Sequence, residues 1–305
     1  MIRPGPRALR PLAGVAWVSC LLAGTVQAGP VVCLRSGPLA PYEAAADGFR
    51  QAATGDVIDL SLSSTSPDQI ERQLVALRPD AVVAVGLRAA IFVRDRLPRV
   101  PLVFCVVQNF EDHDLEGTWI TGVSTDIAPE DELGALAAAA PDVRRVAVFF
   151  GAESGGKLAR RARLAAHALG LTLEEAPVSG LADLPRAARA VSTKVDAFWM
   201  PADAVVATPE TFRFLLRFSL DSRKPLLAFS ESLVRAGAFA GLSPDYNRAG
   251  ALAAEAVRRI RAGERAGDIP VAHVPVGRVV VNGSTARALG REVPGPLLRR
   301  AEILP

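Results

Sequence analysis

The stretch Gly151-Ala-Glu-Ser-Gly-Gly156-Lys157 follows the apolar run Arg145–Phe150 and opens a helical pattern. That is the setting in which backbone amides cradle a phosphate. Leu158, however, stands where the Mg²⁺-holding hydroxyl belongs, and Glu153 sets a negative charge beside the phosphates, so nucleotide hydrolysis is disfavoured. Two readings remain: a loop whose glycines open a helix, or a loop that gives Ser154 or backbone N–H groups to a ligand. Of the three histidines, His113, His167 and His273, none stands in metal-ligand spacing with another His, Cys or acid. Neither a Gly-x-Ser-x-Gly elbow nor a His-Glu-x-x-His helix occurs. Cys33 and Cys105 lie inside the apolar runs Val31–Leu34 and Pro101–Val107, where Cys behaves as a small hydrophobe. We expect both to be buried free thiols. No catalytic residue, metal or cofactor is assigned, and the pattern suits binding better than catalysis.

The elements that would carry these residues form a repeated strand-then-helix pattern. Apolar runs at 30–35, 57–62, 80–85, 101–107, 119–124, 145–150, 171–175, 197–200, 225–229 and 275–281 alternate with helical patterns at 42–53, 67–76, 89–96, 130–140, 156–169, 184–191, 209–221 and 246–262. Near-continuous apolar runs are strands covered on both faces, as in a parallel sheet. Two such series, about 30–125 and 127–241, predict an α/β fold of two doubly wound lobes. Ligands sit off the carboxyl ends of strands in such sheets, so a cleft between the lobes is the expected site.

Half of the 305 residues are hydrophobic and 22% are charged, which places the chain among well-packed globular proteins. The formal charge of +3 comes from Arg3, Arg7 and Arg10; beyond residue 28, 32 basic residues face 32 acidic ones. An overall surplus for neutralising phosphates is therefore lacking, and no nucleic-acid partner is expected. Those three arginines precede the apolar run Leu12–Gly24 and then Thr25-Val-Gln-Ala28, with small residues three and one positions before a cut. Residues 1–28 are expected to be a signal peptide, removed near Ala28 to give a periplasmic or secreted protein. Lipoprotein processing at Cys20 is the less favoured alternative.

The stretches Val195-Asp-Ala-Phe-Trp-Met-Pro-Ala-Asp203, Lys224-Pro-Leu-Leu-Ala-Phe-Ser-Glu231 and Gly237-Ala-Phe-Ala-Gly-Leu-Ser-Pro-Asp245-Tyr246 recur in a known order. So do Pro79–Gly86, Ile120–Ser124 and the ending Val281-Asn-Gly-Ser-Thr-Ala286. With these the chain resembles the substrate-binding components of ABC transporters, in the group that includes predicted tryptophan and tyrosine binders. The resemblance implies a type I periplasmic binding fold, with three crossovers and a ligand held by hinge closure. It implies a first lobe of 30–125 plus 243–268, a second of 126–242 plus 269–283, and a tail, 284–305, packed back on them.

Carried onto this sequence, the family's ligand positions fall at Ser36, Gly37 and Leu39 after the first strand and at Gly86, Leu87 and Arg88 after the third. Gln108 and Ser124 follow from the fourth and fifth. From the second lobe come Glu153, Ser154, Asp203, Ser230 and Glu231, and Asp245 stands at the returning crossover. Asp203 either meets a ligand amino group or caps the next helix. Asp245 reads more readily as the cap of the helix at Tyr246. Arg88 either pairs with a ligand carboxylate or forms an ion pair within its lobe. Leu87-Arg88 and Gln108-Asn109-Phe110 replace the small hydroxyl and Asp-Pro that the family often has at these places, so we expect a small amphiphilic carboxylate, amino acids included. The implied partner is an inner-membrane ABC permease, with the protein itself a monomer. A sensing module of the same fold and an exported α/β enzyme are the alternatives.

Overall fold

The computed structural model describes residues 29–153 and 155–305. The expected signal peptide, with its Cys20 alternative, and Ser154 lie outside them.

The first lobe begins with β1 (Val31–Arg35), α1 (Ala40–Ala52), β2 (Val57–Ser61), α2 (Pro67–Leu77), β3 (Ala81–Val85), α3 (Leu87–Arg96), β4 (Leu102–Val107) and β5 (Ile120–Ser124). The chain then forms α4 (Pro129–Ala139), β6 (Arg145–Gly151), α5 (Gly156–Ala168), β7 (Thr172–Val178), α6 (Leu184–Ser192), β8 (Ala197–Met200), α7 (Pro209–Asp221), β9 (Leu226–Ala228), α8 (Glu231–Arg235) and β10 (Ala240–Pro244). It returns as α9 (Tyr246–Arg261) and β11 (Ala272–His273), and ends with β12 (Val276–Asn282), α10 (Gly283–Ala288), α11 (Gly295–Leu298) and β13 (Glu302–Leu304).

Two sheets result, ordered β11-β5-β4-β3-β1-β2 and β13-β12-β10-β9-β8-β6-β7. All pairings are parallel except β10 with β12. The composition of the strands explains this arrangement. β3 is Ala-Val-Val-Ala-Val with every residue buried, as a central strand covered by helices on both faces must be. Each sheet accordingly has a hydrophobic cluster on either face. Fold class is therefore α/β, with two lobes each built on a largely parallel sheet.

In the first lobe part of the cover on one face, beside α1, comes from far along the chain. α9 packs along α1 through Ala249, Gly250, Ala253 and Val257. Glycine is required at the crossing: a Cβ on Gly250 would lie 1.9 Å from the Ala45 carbonyl oxygen, and one on Gly48 would lie 2.0 Å from that of Asn247.

Three segments link the lobes: Thr125–Ala128, Asp245, and Val274-Pro275. The second and third crossings fall later than the sequence suggests. All of Ala240–Pro244 belongs to the second sheet, paired with β12 as far as Val276, while Ala272–His273 join the first sheet beside β5. A hydrogen bond from Val274 N to Ser124 O, 3.1 Å, holds the chain on the first lobe up to Pro275. β10, β11 and β13 do not read as strands: Ala-Gly-Leu-Ser-Pro is poor in β-formers, β11 is two residues long, and β13 gains its place by pairing with β12. The last of these fastens the tail to the second lobe.

Cys33 and Cys105 are buried and unpaired with each other, and desolvation pushes both thiols well above their ordinary range. No helix among the described residues is long and apolar enough to cross a membrane.

Candidate functional site

The carboxyl ends of the strands in both sheets carry the loops singled out from the sequence. In the first lobe, Ser36 follows β1 and is almost fully buried. Its Oγ accepts the Ala89 N–H at 2.9 Å, and its own N–H donates to Val85 O at 2.9 Å. Ser36 thus ties the β1 loop to the start of α3. Gly86, between β3 and α3, has φ +91°, and a Cβ there would lie 2.6 Å from both Ser36 Oγ and Tyr42 Cζ. Only glycine fits both the dihedral and the space. Gly37 is buried, Leu39 is exposed, and Leu87 packs against the core beneath α3.

Arg88 stands in the first turn of α3, exposed, and makes no ion pair among the described residues. It lies within electrostatic reach of Tyr42, whose hydroxyl burial pushes up while Arg88 pulls it down. Next comes Tyr246, at the start of α9. Burial, with the nearby Glu231 charge and Tyr42, raises its hydroxyl to about 12, against the pull of Arg278. Two phenols from α1 and α9 therefore pack against one cluster, and Tyr246 lies within electrostatic reach of Tyr42 and of Glu231 and Arg278 of the second lobe. Sequence reasoning did not find Tyr42, Tyr246 or Arg278, because long-range folding alone unites them.

Val106 completes this wall. It has φ +56° at a bulge in β4 and is half-buried against the same cluster as Tyr42 and Tyr246. A β-branched residue in the left-handed region costs about 1–3 kcal/mol, the kind of strain that collects at ligand sites. Gln108, half-buried, stands two residues on.

The lobes touch through the next residue. Asn109, also left-handed at φ +48°, donates its backbone N–H to Asp126 Oδ1 at 2.8 Å and its Nδ2–H to Ala202 O across the cleft at 2.7 Å. Ser124 is fully buried and donates to Asp126 Oδ2 at 2.7 Å, so its hydroxyl shapes this crossover. Beside it, Lys157 of the second lobe pairs with Glu111 of the first at 2.7 Å, which holds the Glu111 carboxyl below its usual range. The lysine of the phosphate-loop look-alike thus points across the cleft. Gly155 is needed because a Cβ would meet the Phe150 ring at 2.2 Å, whereas Glu153 is exposed.

Asp203 is buried, and its Oδ1 accepts three backbone N–H groups: Gly151 at 3.0 Å, Val205 at 2.9 Å and Val206 at 3.3 Å. It fastens the loops after β6 and β8 together. Thr208, not Asp203, caps α7 by accepting Thr211 N–H. Asp245 caps α9 through Arg248 N–H at 2.9 Å. Ser230 occupies the cap position of α8, its Oγ 2.9 Å from that of Ser232. Glu231 accepts Arg235 at 2.6 Å and Arg278 at 3.1 Å, and both arginines also bind Glu302. Burial works against the Glu231 carboxylate, yet the bonds from Arg235 and Ser243 and the charge of Arg278 hold it below its ordinary range.

Chemically, this arrangement offers aromatic and aliphatic surface, one unpaired guanidinium and several backbone-anchored loops. Among the described residues no group of His, Cys, Asp and Glu could hold a metal ion. Two surface cavities, about 330 and 460 Å³, lie at the far poles of the lobes.

The family described as ABC transporter substrate binding protein matches residues 58–303. A tyrosine-binding protein of Clostridioides difficile (strain R20291) is 20% identical over 248 residues, covering 77% of this chain and 71% of that protein. Among solved structures, an ABC domain in complex with L-Trp from Streptococcus pneumonia superposes with a TM-score of 0.65 at 20% identity, over 91% of this chain and all of that one. The ligand-free, open structure of a substrate binding protein with adhesive properties from Clostridium difficile gives 0.71 at 19% identity, over 90% and 99% of the two chains.

Proposed function

The chain belongs to the ABC transporter substrate binding protein family, and from that premise we propose that it is the exported solute-binding component of an importer, holding a small amphiphilic carboxylate between its lobes. The observation that carries the choice of ligand is the unpaired Arg88 beside the Tyr42–Tyr246–Val106 wall. A guanidinium at a helix start takes a carboxylate bidentately, and the wall takes an apolar body. Amino acids fit this description, tyrosine and tryptophan among them, as do small organic acids.

The proposed contacts are Ser36, Gly37, Leu39, Gly86, Leu87, Arg88, Gln108 and Ser124 from the first lobe, and Glu153, Ser154, Asp203, Ser230, Glu231 and Asp245 from the second lobe and the crossover. Ser36, Ser124, Asp203 and Asp245 act mainly by fixing loops, given the hydrogen bonds they already make. A ligand touching both lobes favours the closed form by its differential affinity, and a membrane permease reads that form. The solute is released unchanged. Residues 1–28 direct export and are removed near Ala28 in its course, and the protein works as a monomer without nucleic acid.

Calorimetry and thermal shift over amino acids and small organic acids test this reading. A cognate carboxylate should raise the melting temperature, and go on raising it with the logarithm of its concentration once that exceeds Kd. Arg88→Ala should weaken its binding by roughly tenfold or more, the cost of a lost charge-assisted pair. No stabilisation across the panel, or unchanged affinity in Arg88→Ala, refutes the ligand class. Mass spectrometry that recovers a chemically altered ligand would instead favour an enzyme.

A further inference from the structure

Arg261, the last residue of α9, turns its guanidinium to the beginning of the described chain. Its Nε donates to Asp80 Oδ2 at 3.0 Å, Nη1 to Thr54 O at 2.6 Å, and Nη2 to Gly29 O at 2.6 Å. Asp80 Oδ1 in turn accepts the Gly29 N–H at 3.0 Å. Gly29, Asp80 and Arg261 therefore close a ring in which a carboxylate, paired with a guanidinium, faces one backbone nitrogen. Both side chains are largely shielded, 30% and 18% exposed. Residue 29 has no room for a side chain, since a Cβ would lie 2.8 Å from Asp80 Oδ1 and 3.1 Å from Arg78 O. The following residue is pinned as well, for Asp80 N–H donates to Pro30 O at 3.1 Å.

A single amide N–H asks little of such a pair. An α-ammonium at the same place would bring a full charge and three donors, and charge-assisted bonds of this kind are about twice as strong as neutral ones. We propose that the Asp80–Arg261 ring is the seat of the α-ammonium created when the Ala28–Gly29 bond is hydrolysed. This rests on the export reading given above. Hydrolysis breaks the bond between the Ala28 carbonyl carbon and the Gly29 nitrogen. Water supplies the oxygen of the new Ala28 carboxylate, and the freed Gly29 amine takes up a proton. The Gly29 ammonium then pairs with Asp80, while Arg261 keeps its hold on the Gly29 carbonyl. Leader removal thereby adds an ion pair that the uncut chain lacks.

The charged groups around the nitrogen are Asp80 and Arg261, with Arg78 after α2 and Asp56 before β2 on the flanking loops. Glu264 and Arg265 line the cavity beyond them. An ammonium that gains a partner titrates higher in the folded chain. Its stabilisation is complete below the ordinary α-amine range of about 8 and is lost as the pH rises through the higher folded value.

The test starts from the full chain, expressed with export and purified. Intact mass reads its first residue, and selective acetylation of the α-amine at mildly acidic pH removes the charge. The mass should correspond to a start at Gly29. Acetylation should lower the melting temperature by about 2–4 °C at pH 7. That difference should vanish near pH 10 and be absent at every pH in Asp80→Asn. A different first residue, or a lipid on Cys20, overturns the cleavage site. A Gly29 start with an unmoved melting temperature on acetylation overturns the ring's role while leaving cleavage intact.

Discussion

Glu132 of α4 is buried inside the second lobe, 4% exposed, next to the indole of Trp199. Trp199 Nε1 has no hydrogen-bond partner of good geometry, so it relieves the carboxyl only in part. Desolvation dominates and, with the nearby Asp131 charge, pushes the carboxyl from 4.5 to about 8. The protonated form is thus favoured in the fold, while the unfolded chain ionises near 4.5. Between those values the native state binds a proton that the unfolded state has lost, so stability falls as pH rises and levels off above pH 8. The loss amounts to about 3 kcal/mol at pH 7 and about 5 kcal/mol above pH 8, at 1.36 kcal/mol per pH unit. Glu132→Gln keeps the shape and removes the charge. Urea unfolding at pH 5, 6, 7 and 8 should therefore give curves for wild type and variant that separate progressively, with the variant gaining about 3 kcal/mol relative to wild type by pH 7. A constant offset across that range would refute the argument, because it would mean that Glu132 titrates alike in both states.

Gly250→Ala would force α1 and α9 apart where no Cβ fits, at a cost of about 3 kcal/mol, seen as a lower urea midpoint; an unchanged midpoint would show that the helices have slack. Asn109→Ala removes the 2.7 Å bond to Ala202, worth about 1 kcal/mol, and should shift the unliganded protein towards open forms. Small-angle scattering would then give a larger radius of gyration than wild type, and an equal radius would show that this bond does not bias the lobes.

β1 to β5 of the first sheet were legible because parallel strands covered on both faces leave a near-continuous apolar signature, as Ala81–Val85 does. β10 was not, since Gly241, Ser243 and Pro244 owe their strand geometry to the antiparallel partner β12. The same limit governs the site. Loops at strand ends could be located from alternation, and the family resemblance then brought Ser36, Gly86 and Arg88 into view. What each side chain does there could not. Asp203 resembles a free carboxylate in sequence, yet its Oδ1 serves three backbone amides, one of them on Gly151. Tyr42 and Tyr246 meet only after α9 has returned to α1, and no spacing rule joins positions so far apart. Asn109 carried a faint signal, since Asn is among the residues that tolerate left-handed backbone.

The close crossing of α1 and α9 also sets a timetable. A chain that leaves a narrow channel amino end first delivers β1 to β5 early, but the helix that packs over β3, β4 and β5 arrives only with Gly250 and Val257. Until then that face of the first sheet is covered by α1 alone, and partly uncovered parallel strands are slow to settle and prone to aggregate. β6 to β9, by contrast, emerge with the helices between them. The second lobe should therefore be well advanced before the first is finished, and a nascent chain halted before residue 246 should need a chaperone for its first lobe.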